Sequence, residues 1–156
     1  MNFRKINYGA LGYLFFLLTA CSQNEIFSGF HSFSGSQWPR NEKATFEVEV
    51  KDNTHRYDVC IEIRNNNNYP FRNLWLFVDI TTPAKQQRTD TVNVELADIY
   101  GKWYGRGMSL YSYSFPFEQA INYPASGIYT YSVRQGMRAE RLKGISDIGL
   151  TVVRRD

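Results

Sequence analysis

Histidine and cysteine are both scarce, at two residues each in 156. With only His31 and His55 available, a histidine-based catalytic triad or a zinc site has few candidates, since either needs converging imidazole or thiolate groups. No His-Glu-x-x-His or Gly-x-Ser-x-Gly string occurs. Gly101, Gly105 and Gly107 lack the spacing and the strand-to-helix context of a phosphate-cradling loop, and turn geometry accounts for them better. No loop has the oxygen spacing of an EF-hand. No apolar run reaches the roughly 20 residues that a membrane-spanning helix requires, and helical periodicity is weak throughout: Met137 to Leu142 could make one turn or an irregular strand and Leu96 to Ile99 another turn, neither with the length of an ordinary helix. No fixed-period repeat is visible. The chain is therefore expected to be non-enzymatic, with no catalytic residues, no metal and no cofactor.

What is present begins at the N-terminus. Arg4 and Lys5 precede the short apolar stretch Leu11 to Leu18, and small Thr19 and Ala20 lead into Cys21. This is the layout of an export signal that ends in the cysteine of a bacterial lipobox. The thiol of Cys21 is expected to take a diacylglycerol, after which residues 1–20 are cut away. Burial of acyl chains is worth about 0.8 kcal/mol per CH₂, and two or three chains make a lasting anchor. The mature protein should be held on a membrane without spanning it. Only Cys60 then remains as a free thiol, which excludes an internal disulfide. It lies in a strand-like run and reads as a small structural residue. Two of the 18 basic residues, Arg4 and Lys5, leave with a signal that contains no acid. The mature chain is thus nearly neutral and gives no electrostatic case for nucleic acid.

Residues 21–37 read as a lipidated segment partly packed on the domain, because Ile26, Phe27, Phe30 and Phe33 interrupt its Ser, Gly and Gln. Residues 38–156 read as one domain. Phe46, Val48 and Val50 alternate with Thr45, Glu47 and Glu49, and Tyr57, Val59, Ile61 and Ile63 alternate with polar neighbours. That period of two marks strands with one buried face, and Asp52 to His55 between them suits a hairpin. Leu74 to Ile80 is almost continuously apolar, as in a strand central to a sheet or buried on both faces. Thr89 to Leu96, Ser109 to Phe115, Ile128 to Val133 and Ile145 to Val153 add further β-rich runs. Seven or eight short strands without ordinary helices predict an all-β fold, an antiparallel two-sheet β-sandwich of jelly-roll or immunoglobulin-like connectivity, with a slight preference for jelly-roll.

Aromatic residues are in surplus, at 16% of the chain. Core packing should absorb most of them, but exposed rings bind sugar faces or protein partners. Tyr69, Trp75, Trp103 and Tyr104 are the candidates for partner or glycan contact. The segment from Tyr69 to Trp75, after a run of asparagines, is the first place to expect a contact loop. Glu47, Glu49, Asp58 and Glu62 could form paired carboxylates if their strands adjoin, although a solvated outer face explains them better.

Several strings line up in order: Arg64-Asn65, Tyr69 to Trp75, Leu96-Ala97-Asp98, Gly101 to Gly107, Gly127-Ile128-Tyr129, Gln135 to Arg138 and Leu142 to Leu150. Together with the lipobox they resemble the gliding-motility lipoprotein family of Bacteroidetes, the GldH type, from the signal to the last strand. The resemblance implies a lipid-anchored, non-catalytic envelope protein with partners in the gliding apparatus or the associated type IX secretion machinery. It carries over no functional residue besides Cys21. Ser22 to Glu25 lack the dense acidic cluster that looks like the surface-export signal of this phylum, which favours an outer-membrane protein facing the periplasm. Asp90-Thr91-Val92 resembles the O-glycan acceptor pattern of such envelope proteins and makes Thr91 a candidate modification site. A carbohydrate-binding sandwich is the alternative reading.

Overall fold

The computed structural model describes residues 24–155, so the signal and Cys21 lie outside the described residues. These residues form ten strands: β1 (Glu25–Ser32), β2 (Gln37–Pro39), β3 (Ala44–Val50), β4 (Arg56–Asn66), β5 (Asn73–Thr81), β6 (Gln87–Glu95), β7 (Leu110–Asn122), β8 (Gly127–Gln135), β9 (Arg141–Lys143) and β10 (Ile145–Arg155). A single 3-10 turn at Ser34–Ser36 is the only helical element among the described residues. Two four-stranded sheets, in the orders β1-β10-β4-β7 and β3-β8-β5-β6, are joined by the two-stranded rung β2-β9.

The pairing has a simple rule. β1 pairs with β10, β2 with β9, β3 with β8, β4 with β7 and β5 with β6, all antiparallel. The chain is one long hairpin, closed by the turn after Thr81 and rolled up so that β10 also meets β4 and β5 also meets β8. That is jelly-roll connectivity. The rung β2-β9 is where the ribbon crosses from one sheet to the other.

Period-two patterning drives the roll. Phe46, Val48 and Val50 of β3, Val59, Ile61 and Ile63 of β4, Leu74, Leu76 and Val78 of β5, and Leu150 and Val152 of β10 all point inward and are buried. Each such side chain contributes roughly 1.5–3 kcal/mol of burial. β5 is an interior strand with only one buried face: Trp75, Phe77 and Asp79 point outward, with Trp75 exposed and the other two half-buried. Pro116, which has no amide to donate, sits on the edge strand β7. A bulge there turns the Ala120 amide onto the Asp58 carboxylate at 2.8 Å.

Three expectations are corrected. Strand β1 belongs to the first sheet as an edge strand, so the sandwich begins at Glu25 and not at Trp38; its half-buried positions are Phe27, Gly29 and His31, so only Phe27 is a large apolar residue on that face and the strand lacks a clear apolar alternation. The segment Asp52 to His55 is no hairpin, because β3 belongs to one sheet and β4 to the other. For the same reason Glu47 and Glu49 lie on the outer face of one sheet while Asp58 and Glu62 lie on that of the other, on opposite sides of the sandwich. Within the region expected to make a helical turn or an irregular strand, residues 137–142, the short strand β9 begins.

Candidate partner-binding surface

The two ends of the sandwich differ. At one end lie the start of β1, the close of β10 and the β3–β4 and β7–β8 connections, since Glu25 pairs with Val153, Arg56 with Arg155 and Asn122, and Val50 with Gly127. At this end several charged side chains pair with one another, and Ile128 is the most exposed large apolar residue. The Arg155 guanidinium meets the Asp58 carboxylate at 2.6 Å and holds that carboxyl below the usual range, helped by the Ala120 amide. His55 meets Asp52 at 2.9 Å. His31 instead contacts Glu42 at 2.8 Å, so each histidine has a local acidic partner.

At the opposite end lie the β4–β5 connection and the long β6–β7 connection, residues 96–109. The latter is folded back on itself as two ordered turns. The Asp98 carboxylate accepts from the amides of Tyr100 at 2.8 Å and Lys102 at 2.9 Å, and the Asp98 amide donates to the Lys102 carbonyl. Gly101 takes φ +82° to close this turn. Bridges from Ala97 to Trp103 and from Arg106 to Ser112 fix the base of the loop, and the Tyr111 hydroxyl donates to the Met108 carbonyl. Leu96 to Ile99 form no helical turn and lead instead into this Asx-closed turn.

The candidate residues separate sharply. Tyr69 is buried; its hydroxyl donates to the Asn73 carbonyl at 2.7 Å, and burial pushes its ionisation well above the ordinary phenol value. It supports the loop and cannot meet a partner, which corrects the expectation of contact. Trp103 is half-buried: its indole N–H donates to Asn67 at 3.1 Å, and its ring lies between Tyr69 and Tyr111. Tyr104 is exposed and Trp75 is exposed, as the contact reading requires. Trp75 and Phe71 flank an open groove of about 500 Å³ whose lining includes Asn73, Gly136, Met137 and Arg138. Gly136 lies close against this surface, where a Cβ would stand 3.0 Å from the Phe77 ring and the ring would have to shift to admit it. Thr91 is exposed on β6, the condition that modification demands. Cys60 faces the outer side of β4, where burial pushes its thiol up and keeps it protonated.

Sequence reasoning missed Ile99, Tyr100 and Met108, the most exposed large apolar residues among those described, at 72%, 88% and 94%. The available signal was their position between Asp98, Gly101 and Gly107: large apolar side chains placed at turns, where core packing has no use for them.

A second opening of about 480 Å³ lies between the sheets' open edges, lined by Tyr123, Tyr129, Tyr131, Ile80 and Ile121, with Arg88 and Glu118 paired within it. The Tyr123 and Tyr131 hydroxyls satisfy each other at 2.8 Å.

The fold and this surface define a jelly-roll sandwich that presents ordered apolar loops at one end. A family model described as GldH lipoprotein matches residues 25–152, from the first residue of β1 into β10. The chain is also 30% identical over 158 residues to the gliding motility lipoprotein GldH of Flavobacterium johnsoniae, covering 96% of this chain and 98% of the relative. It is 28% identical over 148 residues to a GldH homolog of Christiangramia forsetii, covering 90% of each. The chain belongs to the GldH lipoprotein family. Among solved structures, a Yersinia pseudotuberculosis-derived mitogen aligns with a TM-score of 0.38 at 7% identity over 83% of this chain and 87% of its own, a likeness too low to carry an argument.

Proposed function

We propose that this protein is a gliding-motility lipoprotein held in the outer membrane by acyl chains on Cys21, facing the periplasm, and acting as a non-catalytic interaction component of the gliding and type IX secretion machinery. The observation that carries this reading is the family match, which runs from the first residue of β1 to Val152 in β10 and begins four positions after Cys21. The spacing suits an anchor: the chain is already hydrogen-bonded to β10 at Asn24, whose carbonyl accepts from the Arg154 amide at 2.6 Å. The acylated cysteine would thus lead almost directly into a folded strand.

Labelling with radioactive palmitate tests the anchor. The natural chain should incorporate label and partition into detergent, whereas Cys21→Ala should accumulate as an unlabelled precursor and leave cells non-motile. Equal labelling of the variant would remove the anchor, and normal motility without label would remove the functional reading.

One observation favours a second reading. Trp75 lies exposed on an outer sheet face beside the paired amides of Asn73 and Asn93, 2.7 Å apart, and a flat ring next to amides suits a sugar. Glycan-array binding lost on Trp75→Ala would support it. Trp103, whose indole is engaged with Asn67, is the poorer probe.

A further inference from the structure

Ile99, Tyr100 and Met108 stand out from the fold on turns that are held by their own hydrogen bonds, so their exposure is built and not the result of a slack loop. Large apolar groups fixed in water bring no benefit to the isolated chain, but they reduce the ordering cost of association and form the kind of anchors that dominate interfaces. Charge supplies the second observation. The segment 97–110 contains Asp98, Lys102 and Arg106. Asp98 is spent on its neighbouring backbone amides. Lys102 and Arg106 are exposed, and Arg138 is exposed at the neighbouring groove. The tips therefore project with a positive rim.

We infer that residues 98–108 are a docking knuckle for a protein partner whose surface offers an apolar recess edged by carboxylates. This deepens the interaction reading above and rests on its placement of the anchor. Cys21 is four residues from Glu25, a reach of at most about 14 Å, and Glu25 is at the opposite end of a sandwich whose 11-residue strands span roughly 36 Å. The anchoring bilayer is thus directed away from the knuckle. A second copy is a poor occupant, because a two-fold contact through this end sets Lys102 and Arg106 against their own equivalents.

The test is a photo-reactive benzophenone side chain at position 100, and separately at Glu47, in the full-length protein in its own envelope. The expected result is one discrete adduct from position 100 and none from 47, with the crosslinked peptide of the partner rich in Asp and Glu. Combined Lys102→Glu and Arg106→Glu should lower adduct yield at least tenfold while leaving the melting temperature and acylated mass unchanged. Adducts to lipid, to a second copy, or to a partner indifferent to the charge reversal would each overturn the assignment, as would no adduct from position 100. If acylation and motility still follow Cys21 in that case, only the knuckle assignment fails; if the palmitate label is absent, the anchor on which it rests fails first.

Discussion

Replacing Trp38 with alanine is expected to lower stability by about 4 kcal/mol, the range for emptying a buried indole site, and to shift the melting temperature down by roughly 10–16 °C for a domain of this size. Trp38 is fully buried in the short crossing where the ribbon passes between sheets. Its ring stacks on Phe33 with centroids 4.6 Å apart, and its N–H donates to the Glu42 carbonyl at 2.9 Å. Truncation leaves a cavity, strips one face of Phe33 and removes the donor from that carbonyl. The rung β2-β9 has only three residue pairs and so has little else to hold it. Trp38→Phe should recover most of the packing but not the hydrogen bond, and thermal unfolding of the two variants separates the contributions. A melting point for Trp38→Ala within a few degrees of the natural chain would show that the crossing is not held in this way.

Gly144→Val should have the larger effect and abolish folding. Gly144 joins β9 to β10 at φ +85°, and a Cβ there would lie 2.2 Å from the Tyr69 backbone nitrogen and 2.5 Å from its Cα. Both partners are backbone, so no rotamer change relieves the overlap. The Gly144 amide also donates to the Ser36 carbonyl and its carbonyl accepts from the Asn66 amide, each at 2.8 Å, which fixes the glycine from both sides. The cost should exceed about 4 kcal/mol, against a total stability of roughly 5–15 kcal/mol for a domain. Gly35 provides the control. It has φ +62° with nothing within 4 Å of where a Cβ would stand, so Gly35→Ala should cost only the left-handed backbone penalty of about 1–2 kcal/mol. Circular dichroism of the two variants reads the contrast, and similar losses at both glycines would mean that backbone conformation, not the approach of Tyr69, sets the cost.

The strands were legible because alternation is a one-dimensional signal: Phe46-Val48-Val50 and Val59-Ile61-Ile63 declare a buried face whatever pairs beside them. Connectivity was less so. The same alternation is satisfied whether β4 pairs with β3 or crosses to the other sheet, and only the register, with Glu25 opposite Val153 and Asn73 opposite Glu95, shows a hairpin rolled on itself. The surface was legible in part. Trp75 and Tyr104 project as aromatic surplus suggested, while Tyr69 is drawn inward because its backbone and Cβ close over Gly144. Ile99, Tyr100 and Met108 escaped notice because hydrophobic patterning assigns such residues to a core, and only the turn chemistry of Asp98 and Gly101 reveals that they stand outside it.

On the proposed function, acylated Cys21 precedes the end of the sandwich where β1 starts, and the apolar knuckle lies at the other end. Intact-mass analysis of the protein isolated from its own envelope tests the hook directly. A chain starting at Cys21 and carrying a diacylglyceryl thioether, with or without a third amide-linked acyl chain, is the predicted result. A mass that retains residues 1–20, or one that starts at or beyond Cys21 without lipid, would contradict it.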